Sequence, residues 1–233
     1  MKRLALSASV LAFAFASPAQ ADPITLDSGD VGTSFSVNYN GFSGSTVVSG
    51  LTALANFTLT AFTGNTASFN YTLTNTTQSP VTSRISSFAF NTNPDLKGAT
   101  STGDYPYTVL DSNYPNGIGT VDVCFKAGTS KSCSGNGGLT NGETGSGTLT
   151  MLFSQPLTAL TIEDFFIRYQ SITGAGSVSS ATGTGVSSGI GGSTTGGTQV
   201  PEPGMLALFG LSALGLMYAR RRRNGAQQQA LAA

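Results

Sequence analysis

From Ser34 to about Tyr169 the chain alternates apolar and polar residues with period two, and turn residues bound each run. In a strand, successive side chains point to opposite faces, so this pattern predicts half-buried β-strands. Ser34–Asn40 places Phe35, Val37 and Tyr39 on one side. Ala53–Ala61 sets Phe57, Leu59 and Ala61 against Asn56, Thr58 and Thr60. After a Gly64-Asn65 turn, Ser68–Asn75 continues with Phe69, Tyr71 and Leu73, so the two runs predict one hairpin. Further strands are expected at Arg84–Phe90, Gly119–Phe125, Gly147–Phe153 and Leu160–Tyr169, with a weaker one at Thr46–Ser49. The last long run is apolar on consecutive positions, which predicts a strand buried on both sides or bent by a bulge at Glu163-Asp164. Helical periodicity is confined to the two termini. Seven or eight short strands with polar outer faces predict an all-β antiparallel sandwich, jelly-roll or immunoglobulin-like.

The termini follow another logic. Lys2 and Arg3, the apolar Leu4–Ala16 and the Ala19-Gln20-Ala21 site form a secretory signal peptide over residues 1–21, cut before Asp22 by signal peptidase. The sandwich is expected over 22–172. Residues 173–199 are nearly all Gly, Ser, Thr and Ala, too poor in apolar surface to offset the entropy of ordering, so a flexible linker is expected there. Beyond it come Val200-Pro201-Glu202-Pro203, an uncharged 204–219 segment read as a transmembrane helix, and Arg220, Arg221, Arg222 and Arg223. At roughly 1.5 Å per residue that helix is about 24 Å long, slightly short of a full span, and Tyr218 and the arginines make up part of the deficit. The arginines hold its end on the cytoplasmic side. Residues 224–233 read as a disordered tail.

This order of a short Pro-Glu-Pro motif, one apolar segment and a basic cluster resembles the PEP-CTERM sorting signal. The resemblance implies a membrane-embedded exosortase that recognises Val200–Pro203, cleaves near it and releases or re-anchors the domain, at the cell surface or outside the cell. It also implies a link to extracellular polysaccharide and biofilm or floc matrix. The block Gly117–Lys126, with Cys133–Gly138 and Phe165–Ile172, resembles the cistern family of PEP-CTERM proteins, a likeness that implies architecture and sorting rather than an activity.

Charge and residue usage narrow the chemistry. The formal net charge is zero, but the targeting segments hold six of the eleven basic residues. The exported part has Arg84, Lys97, Lys126, Lys131 and Arg168 against ten acids, near −5, which disfavours nucleic acid as a partner. Without histidine, Ser-His-Asp and Cys-His nucleophile systems and His-based zinc sites are excluded. No glycine-rich phosphate loop leads from a strand into a helix, and Gly135–Gly138 and Gly142–Gly147 read as tight turns. Cys124 and Cys133 are expected to form a disulfide in an exported protein; metal ligation would need carboxylates as further ligands.

Asp104, Asp111, Asp122 and Glu143 are the candidate calcium ligands should they converge, with solvated surface charge the simpler expectation. Glu163 and Asp164 are adjacent and expected on opposite faces. Asn56, Asn70 and Asn75 begin glycosylation-like triplets that Thr-rich strands produce by chance. The function expected is therefore a non-enzymatic, cofactor-free surface or matrix protein. The alternatives are a carbohydrate- or calcium-binding module, a hydrolase with paired carboxylates, and an ordinary single-pass membrane protein.

Overall fold

The structure, a computed structural model, describes residues 23–189. The signal peptide, the sorting motif, the 204–219 segment and the tail lie outside the described residues. The domain contains fourteen strands: β1 (Ile24–Leu26), β2 (Ser34–Tyr39), β3 (Phe42–Ser43), β4 (Thr46–Val47), β5 (Ala53–Thr63), β6 (Thr66–Asn75), β7 (Thr82–Asn93), β8 (Leu96–Ser101), β9 (Tyr107–Tyr114), β10 (Gly119–Lys126), β11 (Leu139–Thr140), β12 (Thr144–Phe153), β13 (Leu160–Thr173) and β14 (Ser180–Ser188). Every pairing is antiparallel. Among the described residues no helix is long and apolar enough to cross a membrane.

The main path runs β8-β12-β6-β5-β2-β14-β13-β7-β10-β9. Its ends, β8 and β9, are consecutive in sequence and meet where Thr108 Oγ1 donates to Ala99 O at 3.0 Å, so the antiparallel sheet curls nearly into a barrel. Rings fill the space inside. Phe35 of β2 lies 6.0 Å from Phe165 of β13, Phe57 of β5 lies 6.1 Å from Phe88 of β7, and Phe88 stacks at 5.2 Å on Phe125 of β10. Each ring comes from the apolar phase of an alternating strand, so the pattern read along the chain becomes the core in space.

The predicted hairpin is present: β5 and β6 pair from Ala53↔Asn75 to Thr63↔Thr66. Gly64, at φ +57°, makes the turn. The bulge at Glu163-Asp164 is present too. The β13–β7 register shifts between Glu163 and Phe166, and Asp164 adopts φ 53°.

The expected linker is corrected in its first half. β13 continues to Thr173 and β14 occupies Ser180–Ser188, in the middle of the sheet between β13 and β2. Composition misled because the glycines here serve close approach. A Cβ at Gly183 would stand 2.1 Å from Asn40 O and 2.6 Å from Ile167 Cγ2. At Gly185 it would meet Val37 Cγ1 at 2.4 Å and Phe165 Cβ at 2.8 Å. Ala181 and Thr182 are fully buried beside them. Gly145 and Gly147 likewise lie inside β12 rather than in a turn, beneath Thr102–Asp104.

Asn75 shows what position decides for the triplets. Its amide is fully buried at the end of β6 and donates to Ser83 O at 3.2 Å and Leu139 O at 3.0 Å, while its Oδ1 accepts from Thr77 N at 3.1 Å. It tethers three segments and is closed to modification, whereas Asn56 and Asn70 are exposed.

Candidate functional site

The densest concentration of reactive groups lies outside the barrel wall, on β7, β10 and β13. Cys124 projects from β10 and Cys133 from the segment joining β10 to β11, and both are fully buried. They form a small second cluster with Ala89, Tyr114 and Val121, against which Ile118 and Phe166 pack. The rings of Tyr114 and Phe166 lie 5.8 Å apart. Ser87 secures the joining segment by donating its hydroxyl to the Cys133 carbonyl, and the same hydroxyl lies 3.3 Å from Tyr114 Oη. At the far side Arg84 Nη1 donates to Gly135 O at 3.2 Å and to Gly137 O, while Nη2 reaches Gln170 Oε1 at 3.3 Å. Gly138, at φ +101°, passes so near β7 that a Cβ would stand 1.7 Å from Ile85 O.

The two cysteines are buried free thiols, and each is an electrostatic neighbour of the other. Their environments differ. Burial pushes the Cys124 thiol up, and its hydrogen bond to Cys133 pushes it further. Cys133 is held down chiefly by that same hydrogen bond, which favours its thiolate, with help from Ser112 and the Lys126 ammonium and against the cost of burial. The thiolate is the species that reacts. Lys126, two residues beyond Cys124 on the same face of β10, is only 2% exposed. Sequence reading paired the cysteines but missed Lys126, Ser87, Tyr114 and Arg84. The sole sequence signal for Lys126 was its phase with Cys124.

The acidic candidates separate. Asp104 and Glu143 line one cleft of about 370 Å³ with Gly138, Leu139 and Thr144. Each carboxylate already accepts a backbone amide, Asp104 from Ser146 N at 2.7 Å and Glu143 from Thr140 N at 2.6 Å. Asp122 accepts from Thr92 N at 2.7 Å and, like Asp111, lies outside that cleft. Asp164 accepts from Asn91 Nδ2 at 3.1 Å beside the bulge. Among the described residues no three acidic or cysteine side chains gather as a metal site would require.

A third feature is defined by what it lacks. The five consecutive strands β12, β6, β5, β2 and β14 contain no Asp, Glu, Lys or Arg. Their outward positions carry hydroxyls and carboxamides in cross-strand rows. In one row Ser36 Oγ donates to Asn56 Oδ1 at 2.6 Å and Asn56 Nδ2 donates to Thr72 Oγ1 at 3.3 Å. In the next, Thr102 and Thr148 hydroxyls meet at 2.7 Å and Ser34 and Thr58 hydroxyls at 2.7 Å. Asn70 sits between Thr148 and Thr58, paired in register with both, and its exposed carboxamide has no protein partner among the described residues.

The described residues form an all-β domain. Residues 199–223 match the family model of the PEP-CTERM protein-sorting motif, covering Val200, Pro201, Glu202, Pro203 and Arg220–Arg223. The motif indicates export, exosortase as the processing partner and a membrane-anchored precursor processed to the surface. No curated protein and no solved structure matches the chain.

Proposed function

We propose that this chain is a non-enzymatic exported protein whose β-domain is delivered by exosortase to the cell surface and associates there with extracellular polysaccharide of a biofilm or floc matrix. The sorting motif at residues 199–223 carries this reading. Signal peptidase removes residues 1–21. The 204–219 helix holds the precursor in the inner membrane, with Arg220–Arg223 setting topology, and the exosortase acts at Val200–Pro203. The cistern resemblance belongs to this reading as an architectural kinship.

On export Cys124 and Cys133 form a disulfide by thiol–disulfide exchange, in which an oxidised dithiol protein of the exporting compartment is reduced to two thiols as the Cys124–Cys133 bond forms. The calcium-binding alternative rests on Asp104 and Glu143 in one cleft. Both are already committed to backbone amides, so it ranks second.

Replacement of Pro201, Glu202 and Pro203 by alanine is expected to leave uncleaved precursor in the inner-membrane fraction, read by immunoblot with tags before residue 189 and after residue 223. Release of that variant at the wild-type level would contradict the assignment.

A further inference from the structure

We infer that the charge-free outer face of β12, β6, β5 and β2 is a binding surface for a neutral polysaccharide chain, with Asn70 at its centre. The inference rests on the matrix reading above and names the surface and the chemistry of the partner.

Charge separates the two halves of the barrel. The charged strand residues among the described ones fall on β7, β8, β9, β10 and β13, and none on β2, β5, β6, β12 or β14. A protein surface facing water across four or more strands ordinarily carries Lys and Glu. Here it carries threonine, serine and asparagine instead. Such a face offers an anionic polysaccharide no cation, and a nucleic acid none either. A protein partner would find few apolar anchors, Leu152 at the β12 end being the large exposed one on these four strands. A neutral glycan is complementary: each of its hydroxyls is both donor and acceptor, and it carries no charge whose desolvation needs an ion pair.

The face is also preorganised. The hydrogen bonds along the Ser36–Asn56–Thr72 row, and those joining Thr148 to Thr102 and Thr58 to Ser34, hold the side chains in place before any ligand arrives. Each hydroxyl has one donor and two acceptor sites, so one such bond leaves further capacity for a sugar. Neighbouring strands stand about 4.8 Å apart and outward residues on one strand about 6.8 Å apart. The resulting lattice of polar groups suits an extended chain that repeats its hydroxyls. Asn70 completes it, because its amide pairs a donor with an acceptor, the match for two adjacent sugar hydroxyls, and nothing in the described protein occupies it.

The test is a pull-down of the full chain purified from producing cells, using microcrystalline cellulose as the neutral probe and alginate as the anionic one. The expected result is retention on cellulose that survives raised salt, with no retention on alginate. Asn70→Asp and Thr148→Asp, each placing a charge in the face, are expected to lower the retained fraction at least tenfold. Thr25→Asp, outside these four strands on β1, retains the wild-type level. Thermal melts establish that each variant is folded, and Thr148→Asp serves if Asn70→Asp is not. Absence of cellulose binding by the wild type, binding to alginate alone, or equal retention by the wild type and both face variants would overturn the inference. Matrix fractionation of the same strains separates the two levels. Wild-type protein found with the matrix while cellulose binding fails overturns only this surface, whereas wild-type protein absent from the matrix overturns the matrix reading itself.

Discussion

A chain ending after Ser179 is expected to lose cooperative unfolding and to become protease-sensitive. The truncation removes only residues that composition alone assigns to linker, sorting signal and tail, yet it takes out β14. That strand pairs Phe166–Gln170 of β13 on one side and Ser36–Tyr39 of β2 on the other. Without it the sheet splits in two and exposes two backbone edges of the kind that template aggregation. The inner faces of Val37, Tyr39, Phe165 and Ile167, now covered by Gly183 and Gly185, open to water. A milder form of the test is Gly185→Val. The added side chain must enter space where a first carbon already lies 2.4 Å from Val37 Cγ1. Overpacking a filled core costs about 1–3 kcal/mol and sometimes more. Thermal denaturation of both variants decides the matter: wild-type melting would return residues 180–188 to the linker and contradict the sheet order.

The second large effect concerns the cysteine pair. Protein recovered from the cell exterior and denatured without reductant is expected to offer no thiol to an alkylating reagent, and two thiols after reduction. The closed loop is short, so the chain-entropy model gives about 2–3 kcal/mol of stabilisation. For a domain of this size that corresponds to a fall in Tm of roughly 4–12 °C on reduction or in Cys124→Ala/Cys133→Ala. Lys126→Met is expected to slow formation of the bond, because the ammonium that favours the Cys133 thiolate is gone. Two alkylatable thiols in the unreduced exported protein would contradict the proposed disulfide.

Much of this fold was legible because its core strands are half-buried. The contrast between Phe57, Leu59 and Asn56, Thr58, or between Phe69, Tyr71 and Asn70, Thr72, is the contrast between inside and outside. Their Gly64-Asn65 turn fixes the register, so β5 and β6 could be read directly. β8 and β9 were not legible. Most of their residues are only partly buried, because both strands end the sheet path, and no strong alternation marks them. β14 was hidden for the opposite reason. It is buried so closely that several of its inward positions tolerate only glycine or alanine, and such a strand has the composition of a linker.

The same distinction applies to the sites. Two cysteines nine positions apart could be paired from the sequence, and the sorting signal is contiguous. The groups that govern the cysteines come from elsewhere: Ser87 and Arg84 from β7, Tyr114 from β9, Ser112 through its hydroxyl. No spacing rule predicts such convergence. Of the four candidate calcium ligands, Asp104 and Glu143 line one cleft, while Asp111 and Asp122 lie on the paired strands β9 and β10 outside it. The polar phase of β5 and β6 was visible along the chain, but its continuation across β2 and β12 into one charge-free surface depends on a strand order that the sequence does not reveal.

The central claim is that the C-terminal motif delivers this domain by exosortase processing, and intact mass with subcellular fractionation of the native protein tests it most directly. The account predicts a mature species that begins at Asp22, ends near Pro201–Pro203 and is found outside the inner membrane. A species in the inner membrane that still carries Arg220–Arg223 would mean an ordinary anchored protein and would contradict the account.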